Sequence, residues 1–135
     1  MTVQLFLFEK LIEVLPKIKM VTFNCFGPSP KLSNITNKTV NELLKLPHFS
    51  KIEKFVLLSI PEQFDIKTFF NFLKKNKIPK SELFFHPSIS EAHNILLETI
   101  VDEIIENENH DYQVPFIHFY GSILEKRGKL YTLCF

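Results

Sequence analysis

Several things are scarce in this chain, and each scarcity removes a class of function. Glycine occurs only at 27, 121 and 128, so neither type of glycine-rich phosphate loop is present and a backbone cradle for a nucleotide is excluded. Arg127 is the only arginine, and the formal net charge is +1. Without guanidinium forks or a basic field, a nucleic-acid partner is not expected. The two cysteines, Cys25 and Cys134, show no paired spacing, which argues against a disulfide framework or a zinc knuckle and favours a reducing compartment. No uncharged apolar run approaches the length of a membrane span, and the N-terminus "MTVQLFLFEKLIEVLP" lacks a basic start and a small-residue cleavage site. An intracellular chain, cytoplasmic or nuclear, with no membrane partner is the expectation. In that setting the sequons at Asn34 and Asn37 read as chance matches.

What is present is enough apolar material for one core. At 135 residues, 45% hydrophobic and 23% charged, the chain is expected to fold as a single domain over 1–135. Its organisation shows in "FVLLSIPEQFD", residues 55–65: a strand-like run, a proline stop, an apolar residue and a capping aspartate. An apolar residue followed by a cap occurs three times, at Ile35-Thr36, Phe64-Asp65 and Ile89-Ser90. In the first two, Val40 and Phe69 stand five beyond the apolar residue, the spacing of a hydrophobic staple. Helical stripes follow, the last of them Ile95, Leu96, Ile100, Val101, Ile104 and Ile105 with an acidic opposite face. Each helix leads to a β-branched or aromatic run: "VTFNCF", "KFVLLSI", "SELFFH" and "PFIHFY".

Four helix-strand units recurring every 27 to 34 residues predict an α/β fold. The favoured form is a leucine-rich-repeat-like stack with a mainly parallel sheet. An ordinary open α/β sheet without repeat ancestry is the plainer alternative. The last segment, "ILEKRGKLYTLCF", predicts a closing hairpin turning at Arg127-Gly128, and the sheet edge at "VTFNCF" is expected to be open.

Strand alternation sorts the candidate site. Val21, Phe23, Cys25, Phe55, Leu57, Ser59, Leu83, Phe85, Ile117 and Phe119 form a core set. The other face carries Thr22, Asn24, Phe26, Val56, Leu58, Ile60, Glu82, Phe84, His86, Phe116, His118 and Tyr120, a mixture suited to partial solvation. Two arrangements are compatible with it: helices on one side only, leaving this face for a partner, or a doubly covered sheet with polar groups at its rim. The first selects Asn24, Phe26, Phe84, His86, His118 and Tyr120 as partner-binding residues, since aromatic and histidine groups supply contact area with a polar handle.

Catalytic chemistry is not evident. No serine sits in a nucleophile elbow, Cys25 falls on the core face, and "HNILLETIVDEI" lacks the spacing that puts two histidine ligands on one helical face. Glu98, Asp102, Glu103 and Glu106 read as a solvated face, or as a docking site for a basic partner. Glu82, His86 and His118 could in principle form a two-histidine, one-carboxylate site. The alternative function is therefore a small α/β enzyme or metal-binding domain near His86 and His118. The main reading is a non-enzymatic interaction module with no cofactor, no metal and no catalytic residue.

The units "NITNKTVNELLKLPHFSKIEKFVLLSIPEQFDIKTFFNFLKKNK" and "SISEAHNILLETIVDEIIENENHDYQVPFIHFYG" resemble the F-box-associated, or FTH-type, region of nematode F-box proteins. The likeness spans about residues 15 to 122. It implies the substrate- or partner-recognition region of an adaptor for a cullin-type ubiquitin ligase, directed at an unidentified protein target. The F-box itself, which in that family grips the ligase's linker subunit, is not seen, and residues 1–16 are too short for it. Contact with that subunit is therefore not an expectation for this chain.

Overall fold

A computed structural model of the chain describes residues 7–25, 34–76, 79–107 and 109–135. Their elements, in order, are α1 (Phe8–Glu13), β1 (Met20–Asn24), α2 (Thr39–Leu44), a 3-10 turn (Phe49–Lys51), β2 (Lys54–Ile60), α3 (Ile66–Asn76), β3 (Lys80–Phe85), α4 (Glu91–Glu106), β4 (Phe116–His118) and α5 (Leu124–Cys134). The strands form one sheet in the order β1-β2-β3-β4, every pair parallel. Among the described residues no helix is long and apolar enough to cross a membrane.

Asp65 and Ser90 cap their helices as the spacing predicts, whereas α2 begins only at Thr39, with Lys38 at the cap position and no side-chain cap bond. In the turn ahead of α2 the Thr36 hydroxyl accepts from the Lys38 N–H at 3.2 Å and Thr39 Oγ1 accepts from the Thr36 N–H at 2.9 Å. Asp65 accepts from the Thr68 N–H at 3.1 Å, and the rings of Phe64 and Phe69 close the staple at 5.4 Å. At α4, Ser90 Oγ accepts from the His93 N–H and both the amide and hydroxyl of Ser90 donate to Glu62, which ties the α4 start to the β2–α3 loop.

The core lies between the helices and one face of the sheet. Phe8, Phe49 and Phe69 meet Phe55 of β2 at ring distances of 5.8, 5.5 and 5.6 Å. His93 of α4 packs on Phe85, and Val101 of α4 shares a small cavity wall with Ile117 and Phe119. All of these strand residues belong to the expected core set. Phe49, Phe55, Phe64 and Phe69 are fully buried, each contributing about 1.5–3 kcal/mol of transfer free energy.

Two expectations are corrected. First, no hairpin closes the described fold: Leu124–Cys134 is a helix. Its turns bring Leu130 into full burial and place Lys126 against α4, 2.9 Å from Glu98 and 2.8 Å from Asp102. Hydrogen bonds to those two carboxylates raise the Lys126 ammonium above its ordinary range. A hairpin across the glycine would forgo the i to i+4 register that lets one side of the segment meet both α4 and β4. Gly128 takes no left-handed φ, so it marks no turn. Second, Ile60 does not share a face with Val56 and Leu58. Ser59 has φ 55°, and the β2–β3 pairing slips between Leu57↔Leu83 and Ile60↔Phe85. That bulge sets two residues against one, which turns Ile60 into the core at 0% exposure.

Candidate docking face

The sheet's other face is built from alternate residues of β1 to β4. Thr22 and Asn24 on β1 are exposed, while Val56, Leu58, Glu82, Phe84 and His118 are half-buried. Among the described residues, ring contacts to this face from outside the sheet come from α5 alone, at the β4 corner. Parallel pairing sets Phe84 beside His118, with rings 5.7 Å apart, and Phe84 also lies 6.0 Å from Phe116. From Phe116 the cluster continues to Tyr131 at 6.0 Å and Phe135 at 5.7 Å, and the Lys80 ammonium sits 4.6 Å above the Phe135 ring. The result is a half-wet aromatic strip running diagonally off the sheet onto α5. Lys54 and Glu82 pair at 3.5 Å beside it and leave that part of the face near neutrality.

Of the six residues expected here, Phe84 and His118 come together. Tyr120 follows them on the turn after β4 and is 74% exposed. That turn uses Gly121 at φ 92°, a backbone conformation costly for a residue with a side chain. His86 lies just past β3, where its Nδ1 accepts from the Ser88 N–H at 3.0 Å and meets Ser88 Oγ at 2.7 Å, so its ring is committed to a local turn. Asn24 stands on the far strand, three strand spacings or roughly 14 Å from β4. Phe26 lies outside the described residues. Phe116, expected on this partly solvated face, is instead buried at 8% exposure because Tyr131 and Phe135 of α5 pack on it, and those two are members that sequence reasoning left out. The signal for the last two is the helical spacing of Leu124, Tyr131 and Phe135, hidden while the segment is read as a hairpin.

Protonation on this face is set by packing. Burial, and after it the Arg127 guanidinium, holds His118 below the ordinary imidazole value. It is neutral near pH 7. Arg127 itself is anchored by Ser122, donating to its hydroxyl at 2.8 Å and to its carbonyl at 3.2 Å. Burial pushes both thiols, Cys25 and Cys134, up to about 12, and neither is activated as a nucleophile. No group of three or more His, Cys, Asp or Glu among the described residues is placed to hold a metal ion, and Glu82 pairs with Lys54 instead.

A separate hollow of about 310 Å³ opens at the C-terminal ends of β2 and β3, lined in part by Glu62, Asp65 and His93. That is where open α/β sheets place ligands. Here the carboxylates are already engaged, Glu62 by Ser90 and Asp65 by Thr68, and they serve as helix caps. Burial lowers the His93 imidazole, with Glu62 opposing the shift.

No protein-family model matches this chain, and neither a curated protein nor a solved structure matches it.

Proposed function

We propose that this chain is a protein-interaction module that receives its partner on the open face of the sheet, around Phe84, His118 and Tyr120. The observation that carries the reading is the layering: α1, α3 and α4 pack against the core face of the sheet, while the Phe84 face, met by α5 at the β4 corner, keeps Phe84 and His118 in partial contact with water. A soluble domain that covered this strip for its own stability would bury these rings completely. Left half-exposed, they supply rigid contact area at low entropic cost. The sequential strand order with its helix crossovers supports a leucine-rich-repeat-like arrangement. With the likeness to F-box-associated regions, it also supports a role in recognising a target protein for a ubiquitin ligase.

The test separates recognition from stability. Tyr120→Ala removes a ring that is 74% exposed and should leave the thermal midpoint unchanged. Phe84→Ala also removes contacts to Phe116 and His118, at a cost of about 1–3 kcal/mol. Together they should weaken capture of a partner co-purified with the wild type by at least tenfold, since central aromatic anchors contribute about 2 kcal/mol or more. Undiminished capture by the folded double variant would refute the proposed face.

A further inference from the structure

The α5 end of the aromatic strip continues along the helix as an apolar stripe, beside the side that buries Leu130. Leu124, Gly128, Tyr131 and Phe135 follow one another at spacings of four, three and four residues, which sets them on one side of a helix. Leu124 is 76% exposed, Tyr131 58% and Phe135 55%. Scattered exposed apolar residues need no explanation, but this series is ordered. Gly128 sharpens the point. A glycine inside a helix costs about 1 kcal/mol relative to alanine. Yet its backbone is not left-handed, and a Cβ built on it meets nothing within 4 Å. Nothing in the described part of the chain requires glycine there. A second backbone approaching from outside would.

We infer that α5 pairs antiparallel with α5 of a second copy of this chain. The stripe is self-complementary when reversed. With a two-fold axis between Arg127 and Gly128, Leu124 of each copy meets Tyr131 of the other, and the two glycines flank the crossing, allowing the backbones to approach to the short end of the helix-packing range, about 8 Å. The flanking charges select the same direction. Glu125 and Lys129 pair within the helix at 3.4 Å. Reversal sets this flank of one copy against the same flank of the other and brings Glu125 near Lys129, whereas parallel alignment turns the two flanks away from each other and forgoes that pairing. The exposed parts of Leu124, Tyr131 and Phe135 offer roughly 300 Å² per chain, under half of the ~800 Å² per partner in a standard interface. The flanking side chains must supply the rest, so the dimer is of moderate affinity. This surface shares Tyr131 and Phe135 with the α5 end of the aromatic strip, and the dimer would place two docking faces, each around Phe84, His118 and Tyr120, in one particle.

Sedimentation equilibrium on the whole chain, from about 1 µM to about 1 mM, spans the relevant dissociation constants. The expected result is an average mass rising with concentration from one chain toward two. Gly128→Glu should weaken association at least tenfold, with helix content retained by circular dichroism. If Gly128→Glu fails to fold, Tyr131→Glu at its exposed site serves the same purpose. Tyr120→Ala with Phe84→Ala should leave self-association as in the wild type, so failure of the docking proposal and failure of this one are told apart. A wild type that stays at the mass of one chain throughout, leaving the stripe to another occupant, overturns the inference. So does a dimer that a folded Gly128→Glu or Tyr131→Glu variant forms as readily as the wild type.

Discussion

Two neighbouring aliphatic residues of β2, Leu58 and Ile60, provide the sharpest test of how the sheet is built. Strict alternation from Phe55 and Leu57 would put both on the open face, and replacing either by alanine would then cost a similar, small amount. The left-handed Ser59 breaks that parity: Ile60 is fully buried while Leu58 is half-buried. Ile60→Ala therefore loses the transfer free energy of the deleted carbons and leaves a cavity, about 2–4 kcal/mol. Leu58→Ala should cost about 1 kcal/mol or less, because its surroundings are already partly water. For a domain of this size each kcal/mol moves the midpoint by roughly 3–5 °C, so Ile60→Ala should melt about 6–20 °C lower and Leu58→Ala less than about 5 °C lower. The chain has no tryptophan, and far-ultraviolet circular dichroism during thermal and urea unfolding is the suitable readout. Equal losses for the two variants would show that the bulge does not redirect Ile60. Partner capture should show the reverse ranking, with Leu58→Ala the more damaging.

Two further outcomes follow from caps and titrating groups. Asp65→Ala removes the acceptor for Thr68 at the start of α3 and should cost about 1–2 kcal/mol in urea unfolding, with Asp65→Asn recovering most of it. A loss as large for Asp65→Asn as for Asp65→Ala would point to charge, not capping. His93 and His118 have folded-state values below the ordinary imidazole value of about 6.5, so the unfolded chain binds more protons in that window. Stability should be full above about pH 6.5 and fall as pH drops through it toward the lowered folded values. His118→Gln should flatten part of that slope in urea titrations at successive pH values, and an unchanged slope in the His93→Gln, His118→Gln double variant would contradict the assignment.

Much of the architecture was readable from local pattern. Ile35-Thr36, Phe64-Asp65 and Ile89-Ser90 announce helix starts because a cap and a staple involve residues within a turn of one another. "KFVLLSI" and "SELFFH" announce strands because β-branched and aromatic residues suit a pleated surface. Both kinds of signal are short-range, and α2 to α4 with β2 and β3 lie where such signals put them. The C-terminal segment is different. Arg127-Gly128 is locally compatible with a turn, and the helix prevails only because Lys126 finds Glu98 and Asp102 and Leu130 finds the space beside Val101 and Ile117, partners remote in sequence.

The composition by itself determined that this chain folds around one apolar core, and its spacing determined the helix-strand alternation and which strand residues face inward, since period and capping act within a few residues. Only the tertiary structure decided that Ile60 turns inward and that α5 is a helix. It alone assembled Phe84, Phe116, His118, Tyr131 and Phe135 into one aromatic strip. Those outcomes depend on register between strands and on contacts across the chain, quantities that no local window contains.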